Sequence, residues 1–162
     1  MFAAPDIMTI CRRHIGIWRG RYRHFDPGGT EIDAHASEII NAFPADGPHA
    51  YVQTSRFLWP DGRREEHVFP GVLRDNRLHW ATERLRGTAF VNADAPDALF
   101  LRFERVDLPG ISILEMIEID AAAGERMRSW QWRADGRLVR RTLVDERRIT
   151  RDTAAGTALA AE

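Results

Sequence analysis

Gly16-Ile17-Trp18-Arg19-Gly20-Arg21-Tyr22-Arg23-His24 is the stretch that decides the fold. Side chains alternate across an extended strand, so Gly16, Trp18, Gly20, Tyr22 and His24 share one face, and Ile17, Arg19, Arg21 and Arg23 share the other. A row of arginines reads as a solvated face, which turns Trp18, Tyr22 and His24 inward. Two glycines on the inward face let neighbouring strands bend around it. Near the far end of the chain stands Glu146-Arg147-Arg148. In a closed antiparallel barrel the first and last strands are neighbours, so an early tryptophan stacks on a late arginine and seals one end.

The rest of the chain supports that architecture. Turn signals recur at hairpin spacing: Asp26-Pro27-Gly28-Gly29, Pro44-Ala45-Asp46-Gly47-Pro48, Pro60-Asp61-Gly62, Arg74-Asp75-Asn76-Arg77, Asn92 to Asp97, Asp107-Leu108-Pro109-Gly110, Ala123-Gly124 and Asp135-Gly136. That spacing leaves no room for crossover helices. The segments between, such as Tyr51 to Trp59, Ala98 to Val106, Ile111 to Ile119 and Met127 to Trp132, are rich in β-branched and aromatic residues. The expected fold is all-β: a single antiparallel up-and-down β-barrel of roughly nine to ten strands. A short helix from about Pro5 to Arg13 caps it, with Ile7, Ile10 and Cys11 on one face. The division is a helical cap over 1–13, a barrel over 14–149 and a flexible tail over 150–162.

Composition narrows the function. At 162 residues and 44% apolar content, the chain builds one domain with a core or a lined cavity. The net charge of −1 supplies no basic field for nucleic acid. All 23 basic residues are arginine, so there is no amine for Schiff-base chemistry. The single Cys11 forms no internal disulfide and reads as a buried, inert thiol, which points to a cytoplasmic setting. No segment has the apolar length of a membrane span or the pattern of a signal peptide.

The opening Gly16-Ile17-Trp18-Arg19-Gly20-Arg21-Tyr22-Arg23 with its Asp26-Pro27-Gly28-Gly29 turn resembles the start of a family of uncharacterised calycin-like proteins from photosynthetic organisms. The closing Arg126-Met127-Arg128-Ser129-Trp130, Gly136-Arg137-Leu138 and Thr142-Leu143-Val144-Asp145-Glu146-Arg147 resemble that family's last hairpin. The pattern is shared more loosely with the phycobiliprotein chromophore lyases, whose fold is similar to that of lipocalins and fatty-acid-binding proteins. The resemblance covers about residues 14 to 149 and implies a cavity for a lipid-like or bilin-like ligand. It carries over no catalytic residue.

Several residues are candidates for chemistry. Glu115, with Ile113 and Ile117 on its face, is either paired with an arginine in the barrel or raised in pKa as a general acid or base. Arg126 and Arg128 share a face with Trp130 and Trp132. If that face is inward, guanidiniums and indoles together suit a flat or lipid-like acid, unless the arginines pair with Glu115 or Glu146. Tyr22, Tyr51, Trp59 and Trp80 are candidate cavity aromatics, and His24 and His67 candidate cavity imidazoles. The histidines show no paired metal spacing, and haem-binding barrels of the nitrobindin kind carry their axial histidine late, where this chain has none after His79. No metal and no cofactor is expected.

Three functions compete, the third being a partner-binding protein whose cavity its own side chains close. The first is a barrel that binds a small, mostly apolar, acid-bearing molecule, with Tyr22, His24, Tyr51, Trp59, His67, Trp80, Arg126, Arg128, Trp130 and Trp132 around it. The second is a cofactor-independent lyase, isomerase or cyclase using Glu115, His24 or Tyr22 as acid or base. Whether the chain forms a homodimer is left open, with Arg19, Arg21 and Arg23 disfavouring association through the first strand.

Overall fold

Turn residues mark the strand ends in the computed structural model, which describes residues 5–155. Helix α1 (Ile7–Arg12) precedes β1 (Gly16–Phe25), β2 (Glu31–Ala42), β3 (Tyr51–Leu58), β4 (Arg64–Arg74) and β5 (Arg77–Ala81). Then come β6 (Leu85–Asn92), β7 (Ala95–Arg105), β8 (Ile111–Asp120), β9 (Glu125–Ala134) and β10 (Arg137–Thr150). Every strand pairs antiparallel with the next and β10 returns to β1, which closes an up-and-down barrel. Asp75, Asn76 and Asp135 take left-handed φ of 52°, 53° and 48°, as tight hairpin turns require. The β5–β6 turn carries no Gly or Pro signal. There Thr82 Oγ1 accepts from the amides of Arg84 and Leu85 at 3.2 and 3.0 Å and makes the turn with its own side chain. A 3₁₀ turn follows at Thr153–Ala155; residues 1–4 of the expected cap and 156–162 of the expected tail lie outside the described residues.

The β1–β10 seam is built from the expected pair. Trp18 stands opposite Arg148 and is fully buried, with Arg148 Cζ 4.5 Å and Arg126 Cζ 4.3 Å from its ring centre. Its Nε1 donates to the His14 carbonyl at 2.8 Å. Arg147 faces outward to Glu125 at 3.0 Å, so Arg148 alone of the two closes the seam. A Cβ at Gly20 would lie 2.0 Å from the Asp145 carbonyl, so the strands approach this closely only at glycine. Outside, Arg19, Arg21 and Arg23 pair with Glu38, Glu31 and Asp145 at 2.9, 3.7 and 2.9 Å. Ile17 departs from the expected solvent face: it is buried at a register shift against β10, where strict alternation breaks.

One end of the barrel is shut by α1. Asp6 caps the helix, accepting from the Thr9 amide at 2.8 Å. The helix lays Ile7, Ile10 and Cys11 onto Tyr51, Leu78, Trp80, Ala89, Leu99 and Ile117. Asn76 in the β4–β5 turn holds the helix start, accepting from the Ile7 amide at 2.8 Å and donating to the Pro5 carbonyl at 3.0 Å. Burial pushes the Cys11 thiol up to about 12, so it stays protonated and unreactive at neutral pH. The opposite end, where β1, β3, β5, β7 and β9 finish, has no such cap among the described residues.

Candidate functional site

A cavity of about 310 Å³ runs in from the uncapped end. Its walls are aromatic because the inward positions of successive strands carry rings. On one side Tyr22 (β1) stacks on His35 (β2) at 5.1 Å and 13°, and His35 lies 4.2 Å from the Trp59 ring just past β3. On the other, Trp130 and Trp132 of β9 lie 5.8 Å apart, with Phe103 edge-on to Trp130 at 5.9 Å. Tyr22 meets Trp130 edge-on at 5.6 Å and joins the two walls. Each ring is braced by another, so the slot is rigid before any ligand enters.

The floor is ionic: Glu115 and Arg128 face the cavity, and Arg126 and Glu146 lie behind them, with Arg126 Nη2 and Glu146 Oε1 making no hydrogen bond. Arg128 Nε donates to Glu115 at 2.6 Å and its Nη1 donates to the Tyr22 hydroxyl at 2.9 Å, with Glu146 3.6 Å away. Arg126 Nε donates to Glu146 at 2.5 Å and its Nη1 to Asn41 at 2.7 Å. All four charged side chains are buried and their charges cancel. Of the alternatives open for Glu115, the structure has the buried ion pair. Arg126 and Arg128 face inward, as one of their two arrangements required, yet spend their guanidiniums on protein carboxylates. Burial raises the Tyr22 phenol, so it keeps its proton and accepts from Arg128 rather than acting as a base.

Positive charge is in surplus at the rim instead. Arg63 stacks 3.7 Å over Trp59 and pairs with Glu65 at 2.8 Å. Arg105 clasps Asp107 through two bonds of 2.7 and 2.6 Å, and Arg84 stands between Glu65 at 3.9 Å and Asp107 at 3.6 Å. Burial and the adjacent Arg105 pull the Arg84 guanidinium below its usual range, as expected where cations crowd. Arg140 lies 5.2 Å over Trp132, and among the described residues no carboxylate pairs with it.

Three further groups meet at this mouth. His24 stands opposite Asp33 across the β1–β2 hairpin, and His35 lies two residues on along the same face. Burial, then the neighbouring His35 and Arg140, hold His24 down at about 4, so its ring is neutral at physiological pH. Against the opposing push of burial, hydrogen bonds from Trp59 and His35 keep Asp33 below the usual carboxylate range.

Of the sequence candidates, Tyr22, His24, Trp59, His67, Trp80, Glu115, Arg128, Trp130 and Trp132 line the cavity. Tyr51 and Arg126 do not; they belong to the closed end, where Tyr51 packs under α1 and Arg126 beneath Trp18. Sequence reasoning missed Asp33, His35, Phe57, Arg63, Arg84, Arg105 and Arg140. A signal existed for His35. Pairing the first two strands about the Asp26–Gly29 turn puts it opposite Tyr22, on the inward face.

No protein-family profile and no curated protein matches the sequence. Solved structures do. A protein of unknown function from the DUF3598 family of Nostoc punctiforme is 19% identical with a TM-score of 0.66, over 86% of this chain and 49% of that one, so the chain spans about half its length. The S-type phycobiliprotein lyase CPES from Guillardia theta is 15% identical with a TM-score of 0.71, over 90% of this chain and 94% of that one. Rv2717c from M. tuberculosis is 17% identical with a TM-score of 0.58, over 91% and 100%. The chain shares its barrel fold with these structures, the S-type phycobiliprotein lyase among them.

Proposed function

We propose that the barrel binds a small, flat, mostly apolar molecule bearing an acid group. The ring system enters between the Tyr22–His35–Trp59 wall and the Trp130–Trp132 wall, and the acid group stays at the rim beside Arg140. The observation that carries this reading is the pairing of a rigid aromatic slot with a rim guanidinium that lacks a carboxylate, above a floor whose charges are already matched. The volume of about 310 Å³ sits at the low end of ligand pockets, which run roughly 300–1,000 Å³. A conjugated acid with part of its length outside the barrel suits that size better than a bulky globular ligand. The likeness to a phycobiliprotein lyase supports a pigment-like ligand at the level of fold only.

The test is a tryptophan-quenching titration with two matched pairs, biliverdin against its dimethyl ester and retinoic acid against its methyl ester. At least one acid is expected to saturate the protein one-to-one, and its ester to bind about tenfold more weakly, the scale of one charge-assisted hydrogen bond. Equal affinity for acid and ester would contradict the rim anchor, and failure of both pairs to bind would contradict the reading.

A further inference from the structure

The geometry points to a site for a divalent transition-metal ion at the cavity mouth, held by His24 Nε2, Asp33 Oδ2 and His35 Nδ1. The three donor atoms lie within 4.8 Å of one another. Asp33 Oδ2 is 3.4 Å from His35 Nδ1 and 4.0 Å from His24 Nε2, the first long for a hydrogen bond and the second beyond one. Three ligands about 2.0–2.2 Å from a common ion stand roughly 3.0–3.6 Å apart, so the 3.4 Å pair already fits, the 4.0 Å pair closes by a few tenths of an ångström, and the two histidine nitrogens, within 4.8 Å of each other, close by no more than about 1–2 Å. The side chains need no long-range rearrangement, because all three stand on one face of a single hairpin.

The surroundings orient these donors as metal ligands are oriented. Thr142 Oγ1, on β10, lies 2.7 Å from His24 Nδ1 and accepts from Trp132 Nε1 at 2.8 Å. In the tautomer that gives Nδ1–H to Thr142, His24 presents its Nε2 lone pair toward Asp33, and a bound ion takes the place of the proton that His35 Nδ1 shares with Asp33. Trp59 Nε1 donates to Asp33 Oδ2 at 3.1 Å and fixes the carboxylate. Both imidazoles are buried, while Asp33 is 42% exposed at the rim, so an ion has a path of entry.

Two imidazoles and one carboxylate suit Zn²⁺, Co²⁺, Ni²⁺ or Fe²⁺ better than Mg²⁺ or Ca²⁺, which favour all-oxygen sets. Three protein ligands leave coordination positions open toward the cavity, the arrangement of a reactive rather than a structural ion. Arg140, whose charge acts on His24, favours an anion at an open position. The inference goes beyond the ligand-binding reading and does not need it.

The test uses the full-length protein, stripped with chelator and titrated with Co²⁺, following the cobalt d–d absorption and quenching of tryptophan fluorescence. We expect one-to-one binding that Zn²⁺ displaces. Asp33→Asn and His35→Gln should each weaken it at least ~100-fold, Thr142→Val about 10- to 100-fold with stoichiometry kept, and His67→Gln not at all. Near-UV circular dichroism checks each variant; should Asp33→Asn lose its native spectrum, His35→Gln carries the comparison. A wild-type protein that takes up no cobalt, or ligand variants that bind it as tightly as wild type, would overturn the site. Because no organic ligand is present, neither outcome bears on the acid-binding reading.

Discussion

The guanidinium of Arg148 lies 4.5 Å from the ring centre of Trp18, its partner across the seam where the last strand meets the first. Every other strand pair is also joined by a hairpin turn. This one is held by side chains and backbone pairing alone, over the largest sequence separation in the barrel. Trp18→Ala is expected to cost about 3–5 kcal/mol, the range for emptying a buried aromatic site, and Arg148→Ala about 0.5–2 kcal/mol. Urea unfolding of both variants checks the order, and an Arg148→Ala loss as large as that of Trp18→Ala would argue against the indole as the seam's main element.

Glu115 and Arg128 form a buried pair at 2.6 Å with Tyr22 as third member. Glu115→Gln leaves a buried guanidinium under-compensated and should destabilise by about 3–5 kcal/mol. The double variant Glu115→Leu with Arg128→Met removes both charges, and thermal denaturation should place it well above the single variant. A single variant of wild-type stability would mean that the pair is not a structural floor.

His14 makes stability sensitive to acid. Burial, reinforced by the facing guanidiniums of Arg126, Arg128, Arg148 and Arg13, holds its pKa well below 6.5, and neither ring nitrogen has a hydrogen-bond partner in the described structure. The unfolded chain takes up a proton below about pH 6.5 and the folded chain does not, so the contribution of His14 to folding is constant above that pH and falls as pH drops. The slope approaches ~1.4 kcal/mol per pH unit for one such group. Denaturant titrations at pH 7 and pH 5 should show a smaller loss for His14→Leu than for wild type; parallel losses would assign the acid sensitivity to other groups.

Arg140→Gln should weaken an acidic ligand about tenfold while leaving the ester and the melting temperature unchanged, because Arg140 pairs with no carboxylate among the described residues. The paired titration described for wild type reads both effects.

How much of this was written in the sequence varies by residue. Trp18, Tyr22 and His24 were legible as inward because strand alternation is local and the arginine row marks the other face. The turns were legible where Gly, Pro or Asn-type residues made them, and not at Thr82, where a hydroxyl does the same work. Arg126 and Arg128 were placed on one face with Trp130 and Trp132, yet whether they would meet a ligand or Glu115 and Glu146 depends on which strands become neighbours. The His24–Asp33–His35 cluster is not legible in histidine spacing, because two of its members face each other across a hairpin. The register there shifts between His24 and Phe25, a feature no local pattern records.

In the proposed complex an acid-bearing flat ligand lies in the aromatic slot with its acid at the rim. A crystal structure of the protein with the tightest acid from the titration tests it most directly. The expected result has the conjugated rings between Trp59 and Trp132 and a carboxylate oxygen within hydrogen-bonding distance of the Arg140 guanidinium. A carboxylate seated on Arg128 at the floor, or a ligand held outside the barrel, would contradict it.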